Sequence, residues 1–453
     1  MTVSNKHFSI TPAREDEWAM VRDCIGGEGD VKAADTKYLP RPNGFANDEG
    51  GNAMWSGYKM RAQFPEMFGP TINALMGIAH ARETKIELPD ALAYLEEDAD
   101  GEGTPLEELH RQITRELITS GRYGLLADVP EGSADPVLIG YRAETIINWD
   151  TDFAVLDESG MERVEFDWKS VVRHKVLSVE DGQYTVTDYL DNLPQEDPAT
   201  PSALGGKGID VIPLAVANSV KLSFDLAPPP LIGVARAAIA IYQLSADYRW
   251  QLYNTGVETL VALNGEAPAN VGPGVVHEMY GSEGVTPDLK YVGPSCSGID
   301  ANKEAIVDNR TAAVMAGAKL LEQSESVQES GDARQLRFQS ETATLKTVVM
   351  ASCALLEKAL RYAAMFKGLD PQTVVVTPPD ELLSATITPQ DAATLFQLVV
   401  DGGLSWEDYH ANLQRGGLIS AERDADETYR QIQADGMDEE PVDTSTQTAM
   451  PQQ

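Results

Sequence analysis

The sequence predicts an α+β protein, and three observations carry the prediction. A segment from Ile299 to Lys367 holds no proline and reads as two helices, the second very long. The stretch from Tyr123 to Leu190 breaks into short β-rich runs separated by Gly, Asp and Pro. Before and after these, N-capping signatures and apolar residues at helical spacing mark further helices, so strand-rich and helix-rich regions alternate only coarsely along the chain.

Taken in order, a helix is expected around Arg14 to Ile25, then the loop Tyr38-Leu-Pro-Arg-Pro-Asn-Gly44, then a helical stretch from about Gly51 to Ala81. Thr104-Pro-Leu-Glu107 reads as a helix start, with Thr104 as N-cap, Pro105 at the first helical position and Glu107 completing a capping box; Gly121 ends it. Four strands are expected, at Leu125–Val129, Val137–Tyr141, Val171–Leu177 and Tyr184–Leu190, followed by a Pro- and Gly-rich loop from Pro194 to Gly208. After Pro228-Pro-Pro230 a helix runs to about Asn254, because Val234, Ala238, Ile241, Tyr242, Ser245, Tyr248 and Leu252 recur at helical spacing and Gly256 can close it. Val257 to Pro294 is strand and loop, a small module between two helices.

The proline-free segment is divided by the polar run Glu322-Gln-Ser-Glu-Ser-Val-Gln-Glu-Ser-Gly-Asp332. From Ala333 to Lys367 there is neither Gly nor Pro, so a helix there extends roughly 50 Å at about 1.5 Å per residue. Its apolar stripe, Val348, Val349, Leu355, Leu356, Leu360 and Ala364, reads as core. Two short helices start at Thr388-Pro-Gln-Asp391 and Ser405-Trp-Glu-Asp408, a last one covers Ala421 to Ala434, and an acidic polar tail ends the sequence.

Composition bounds the function. The 453 residues suffice for two or three domains, and 42% hydrophobic with 23% charged residues is ordinary for a globular protein. The charge balance is not ordinary: 71 acidic against 35 basic residues give a formal charge of -36. A surface of that sign repels phosphate, which disfavours a conventional DNA-gripping protein while leaving room for a conduit that must not stick to DNA. Cys24, Cys296 and Cys353 are widely spaced with no CxxC pair, against a disulfide scaffold or a thiolate zinc site. A polar start and the lack of any apolar run near 20 residues predict a protein made in the cytoplasm, with no membrane partner.

Chemical signatures fail on inspection. Asp98-Ala-Asp-Gly-Glu-Gly103 opens like an EF-hand loop, but Leu109 stands where a bidentate Glu is needed. His277-Glu278 opens like a zincin motif, but Gly281 stands at the second histidine. Gly205-Gly-Lys-Gly208 lacks the spacing of a phosphate-cradling loop, and His7, His80, His110, His174, His277 and His410 form no sequence cluster. The expectation is a protein with no catalytic residues, metal or cofactor.

Four segments, Tyr38-Leu-Pro-Arg-Pro42, Tyr58-Lys-Met-Arg-Ala-Gln-Phe64, Gly121-Arg-Tyr-Gly-Leu-Leu-Ala-Asp-Val-Pro130 and Tyr141-Arg-Ala-Glu-Thr-Ile-Ile-Asn-Trp149, resemble in that order a family of tailed-phage portal proteins once filed as a domain of unknown function. The similarity runs from about residue 35 to 430 and lies in order and spacing rather than in any one motif. It implies a portal fold: an N-terminal wing over residues 1–227, a first stem helix at 228–256, a clip at 257–298, a second stem helix at 299–319, a tunnel loop at 320–332, a spine helix at 333–367, crown-like short helices at 368–436 and a flexible tail at 437–453. It implies a virion protein that forms a ring, typically of twelve copies, through which double-stranded DNA enters and leaves a capsid, with terminase, capsid and scaffold proteins and a head–tail adaptor as partners.

On that resemblance, Lys303, Arg310, Lys319, Gln323, Ser324, Glu325, Arg334 and Arg337 are candidates to face the DNA channel. The basic ones have an equally good reading as intersubunit or intrahelical ion pairs with Glu304, Glu322 or Glu341. Glu266, His277, Glu278, Tyr280, Glu283 and Lys290 are candidates for partner docking on the clip. Apolar residues left over on the helices are expected between subunits. The rival readings are another phage head or neck protein, such as an adaptor or minor capsid component, and a cytosolic hydrolase whose active site is dispersed in sequence.

Overall fold

Side-chain oxygens and prolines set the helix boundaries of the N-terminal region. Helix α1 (Pro12–Gly26) starts after Thr11, whose hydroxyl accepts the Arg14 N–H at 3.3 Å. It is followed by the short α2 (Glu28–Ala33). Helix α3 (Glu49–Arg61) starts after Asp48, whose carboxylate accepts the Gly51 N–H at 2.6 Å. The single helical stretch expected from Gly51 to Ala81 is two helices, because Pro65 removes a donor and forces the preceding residue out of helical geometry; α4 (Phe68–Ala79) begins beyond it.

The computed structural model describes residues 2–130, 132–201, 203, 206, 208–256, 259–264, 284, 286–292, 298–318 and 331–379, with backbone only at 259, 317–318 and 331–343. Beyond residue 380 it describes 405–415 and isolated residues 382, 396, 397, 399, 419, 424, 425 and 430. The chain divides into two units, Met1–Pro379 and Asp380–Gln453.

In the first unit, β1 (Lys85–Glu87) leads through a 3₁₀ segment into α5 (Leu106–Thr119). Thr104 does not cap α5. Pro105 occupies the N-cap itself, its carbonyl accepting the first helical bond from Leu109 at 3.0 Å, and Glu107 pairs with Arg111 instead of closing a box. Gly121, at φ +74°, follows the helix; a side chain there would meet the Pro228 carbonyl oxygen at 2.9 Å, so glycine is required twice over.

A three-stranded antiparallel sheet is built from β2 (Arg122–Asp128), β3 (Val137–Arg142) and a distant strand, in the order distant strand, β2, β3. A five-stranded antiparallel sheet follows, its members β4 (Ile146–Trp149), β5 (Phe153–Asp157), and, after a separate hairpin of β6 (Gly160–Val164) and β7 (Asp167–Val171), β8 (Arg173–Glu180), β9 (Gln183–Leu190) and β10 (Leu193–Pro194). Strand β11 (Leu214–Asn218) then returns to pair with β2, Ala215 opposite Leu125. The expected strands are found as β2, β3, β8 and β9, and β1, β4, β5, β6, β7, β10 and β11 are additional to them.

Helix α6 (Ile232–Thr255) comes next, then a hairpin of β12 (Thr259–Leu263) and β13 (Asp288–Val292), helix α7 (Ile299–Ala318) and helix α8 (Gly331–Phe366). Gly256 closes α6 at φ −71°, not in the left-handed region. Gly368, at φ +67°, ends α8 with the Leu369 N–H reaching back to the Ala364 carbonyl at 2.9 Å. Strand β14 (Val375–Thr377) pairs with β1. The core lies where α8 crosses α5 and the three-stranded sheet: Leu345, Val348, Leu355, Leu356, Leu360 and Ala364 are all buried within the one chain. The apolar stripe of α8 is therefore internal core, with nothing left over for a neighbour on that face.

The second unit contributes α9 (Trp406–Arg415), capped as expected: the Ser405 hydroxyl accepts the Asp408 N–H at 3.0 Å and donates to the Asp408 carboxylate at 2.7 Å. The helices expected from Thr388 and over Ala421–Ala434 lie outside the described residues but for isolated positions.

Candidate functional site

The first three segments that carry the resemblance converge on the start and middle of α6. Tyr38 offers its carbonyl to the Gln243 side chain at 2.6 Å and its hydroxyl to Asp23 at 2.5 Å. Tyr58 donates to Asp247 at 2.5 Å, and the backbone of Gln63 is bound in both directions by the Ser245 hydroxyl. Gly121 seats the prolines before α6. The fourth segment ends at Trp149, over which the buried Arg122 guanidinium stacks at 4.2 Å while donating to the Ile146 carbonyl at 3.1 Å. These residues are structural anchors, and burial without a carboxylate partner pushes Arg122 down to about 9.

What they anchor is a long antiparallel helical pair. Gly233 near the start of α6 faces Ala316 near the end of α7, where an added side chain would lie 3.1 Å from the alanine methyl; at the other end Asn302 donates to Gln251 at 3.2 Å. Small residues let the two helices approach closely. Along α6 the buried positions, among them Val234, Ala238, Ile241, Tyr242 and Ser245 of its expected apolar set, end at Ala246, whereas Leu252 of that set is exposed.

Helix α7 has α6 as its main neighbour, and Ala313 is its one buried residue among those described. The half-buried side is a single stripe, Asn302, Ala305, Ile306, Asn309 and Ala316. Two exposed stripes run beside it at helical spacing: Lys303, Val307, Arg310 and Val314 on one flank, Glu304, Asp308, Thr311 and Met315 on the next. The basic flank and the acidic flank stand at nearly the same height on one helix. Among the described residues Lys303 and Arg310 make no ion pair within the chain, and Glu304 diverges from Lys303 by about 100° around the helix.

Of the remaining channel candidates, Arg334 and Arg337 lie on the first turns of α8, and Lys319, Gln323, Ser324 and Glu325 lie outside the described residues. Of the docking candidates, Lys290 is exposed on β13; Glu266, His277, Glu278, Tyr280 and Glu283 lie outside the described residues.

A family model described as a domain of unknown function (DUF4055) matches residues 230–367. The match spans α6, the β12–β13 module, α7 and α8, about three-tenths of the chain. No curated protein matches. Among solved structures, the "Neck of empty GTA particle computed with C6 symmetry" is 13% identical, covering 84% of this chain and 97% of that one with a TM-score of 0.38. The "Neck of native GTA particle computed with C12 symmetry" is 14% identical, covering 75% and 86% with a TM-score of 0.36. Likenesses at that level fix neither fold nor function.

One cluster that no sequence motif announces joins α4, α5 and α8. The His110 Nε2 lies 3.1 Å from the Ser352 hydroxyl and 3.6 Å from the Cys353 thiol, with the His80 ring at 5.2 Å and the Thr114 hydroxyl donating to Ser352 at 3.1 Å. It has the composition of a nucleophile and base but not the electrostatics. Burial holds His110 down at about 3 and pushes the Cys353 thiol up to about 11, so each is neutral at physiological pH. Ser352, Cys353 and His110 are all buried with no carboxylate orienting the ring, and the arrangement is a packed polar core. The EF-hand-like acids are likewise turn formers: Asp98 accepts the N–H groups of Gly101 and Gly103, and Asp100 those of Glu102 and Thr104. Among the described residues no cluster of His, Cys, Asp and Glu could hold a metal, and no helix is long and apolar enough to cross a membrane.

Proposed function

We propose that this chain is the subunit of a tailed-bacteriophage portal: a ring that admits DNA driven by a separate motor, retains it, and releases it on infection. In this reading α6 and α7 are the stem helices, the β12–β13 module is the clip that docks terminase and later the head–tail adaptor, α8 is the spine, and the sheets before α6 belong to the wing. Residues 320–330 are the tunnel loop, 331 and 332 of the expected span being the first residues of α8, and the second unit is a reduced crown. The chain itself is not an enzyme.

The observation that carries the proposal is α7. A 20-residue helix with one packed stripe and two exposed flanks of opposite sign is incomplete in a single chain. In a cyclic ring every residue meets its neighbour at its own height, so the Lys303/Arg310 flank of one copy lies level with the Glu304/Asp308 flank of the next. Heterologous, ring-closing contact follows from the two flanks differing. The acidic total then has a use, since carboxylates over much of the channel repel the passing phosphates.

The test is a charge exchange. K303E/R310E and E304K/D308K are each expected to lower ring formation about tenfold or more, the loss of one or two partly desolvated pairs, while the fourfold exchange restores it. One double variant makes the chain more acidic and the other less, so a mere net-charge effect would move them in opposite directions. Rings that assemble equally well in all three, read by mass photometry, would remove Lys303 and Arg310 from the interface and return them to the channel.

A further inference from the structure

The hairpin of β6 and β7 carries several large apolar side chains in solvent. It is inserted between β5 and β8, which pair directly with each other, so the ribbon continues past the end of the sheet, with the Glu158 N–H on the Arg173 carbonyl at 2.9 Å as its last rung. From Gly160 to Ser170 every residue is exposed. Among them are Phe166 at 95%, Met161 at 60% and Trp168 at 59%. Its strands pair with each other and with no other strand, Arg163 opposite Trp168. The tip is made by Glu165 in left-handed geometry, φ +57°, which throws Phe166 outward between the carboxylates of Glu165 and Asp167. An isolated two-stranded ribbon is marginal in water, and three large apolar side chains held out on one are a surface awaiting cover.

Elsewhere in the same unit, where α3 meets the end of α6, lies a cleft lined by Met60, Arg61, Gln63, Arg249, Leu252 and Tyr253. Its apolar side chains stand in solvent, Met60 at 73% and Tyr253 at 50% exposure. The Arg61 guanidinium lies 3.8 Å above the Tyr253 ring, and among the described residues neither Arg61 nor Arg249 has an ion pair with a carboxylate. The hairpin tip is an apolar ring between two acids, with the Arg163 guanidinium 5.9 Å from it and tied to the Glu165 carbonyl. The cleft is an aromatic floor between two bases.

We infer that the Gly160–Val171 hairpin is an arm that docks in the α3–α6 cleft of a second copy of this chain, Phe166 against Met60 and Tyr253, with Glu165 and Asp167 toward Arg61 and Arg249. Protrusion and cleft are two different patches, as a heterologous contact between identical copies requires. The aromatic–arginine composition is that of interface anchors. The inference rests on the ring reading only in needing a neighbour, and an open chain of copies would satisfy it equally.

The experiment uses two full-length chains carrying Cys296→Ser, one with F166C and one with M60C, mixed, assembled and oxidised. A product of twice the chain mass that forms only in the mixture is the expected result. An assembled oligomer with no such product overturns the docking while leaving the ring intact, and a chain that stays monomeric at every concentration overturns it as well. Links from F166C to a different particle protein, when the chain is assembled with head components, assign the arm to that protein and also overturn it. In parallel F166S/W168S, exposed positions whose change leaves the melting temperature in place, is expected to reduce assembly about tenfold; unchanged assembly contradicts the inference.

Discussion

At His110 the physics is decided by burial rather than by charge partners. The ring sits among Ser352, Cys353, Thr114 and His80, and His80 and Arg111 add to the burial that holds it neutral. Its folded value near 3 lies below the usual 6.5, so between those limits the unfolded chain binds the extra proton and stability falls as pH falls, at most about 1.4 kcal/mol per pH unit. His80, also lowered by burial, adds to the same slope. Replacing His110 with Gln is expected to flatten the stability profile between about pH 6.5 and 3 relative to wild type, read from denaturant midpoints; equal slopes would contradict neutral burial. Arg22 offers a second residue-scale case. It grips the buried Glu116 through two hydrogen bonds of 2.9 and 2.7 Å and Glu144 through its Nε at 2.8 Å. Arg22→Ala strands Glu116 and is expected to cost about 3 kcal/mol, most of it recovered by adding Glu116→Gln. Neither cluster was legible in the sequence, because His110 and Ser352 are 242 positions apart and Arg22 and Glu116 are 94 apart. No local pattern records such a distance.

Elements were more legible where the signal is local. Ser405 with Asp408 three residues on spelled an N-cap and forms one, and the Gly- and Pro-free run after Asp332 spelled a single long helix, which is α8. Thr104 misled because proline fits both the N-cap and the first helical turn, and the carbonyl of Pro105 settled which. Strands β4 and β5 escaped notice because they are short and fall between turn residues. Strands β6 and β7 escaped because their exposed residues, Glu162, Arg163 and Lys169 among Met161 and Trp168, follow no buried alternation. On α8, Leu356 and Leu360 are fully buried against α5 and the three-stranded sheet. Leu356→Ala is expected to lower unfolding free energy by about 2–5 kcal/mol, whereas truncating exposed Met350 changes it by less than about 1 kcal/mol. Chemical denaturation of the two variants separates a core stripe from one held between subunits, which would leave the isolated chain unaffected in both.

For the whole molecule, the formal charge of -36 was the plainest message of the composition, and it constrains behaviour toward DNA more than fold. The purified protein is expected to show no retention of free double-stranded DNA at physiological salt in a fluorescence anisotropy titration, and salt-sensitive binding would contradict a repulsive surface. The order of long helix pair, small β module and longer helix was readable because each is continuous in sequence. Which sides of α7 are covered was not, since its apolar residues gather on no one face in the sequence and only the fold shows that α6 takes one side of it. The most direct measurement is the mass and shape of the purified chain, by light scattering on a sizing column followed by negative-stain microscopy. A ring of about twelve copies with a central hole is the predicted result; a compact dimer or tetramer without a hole would contradict it.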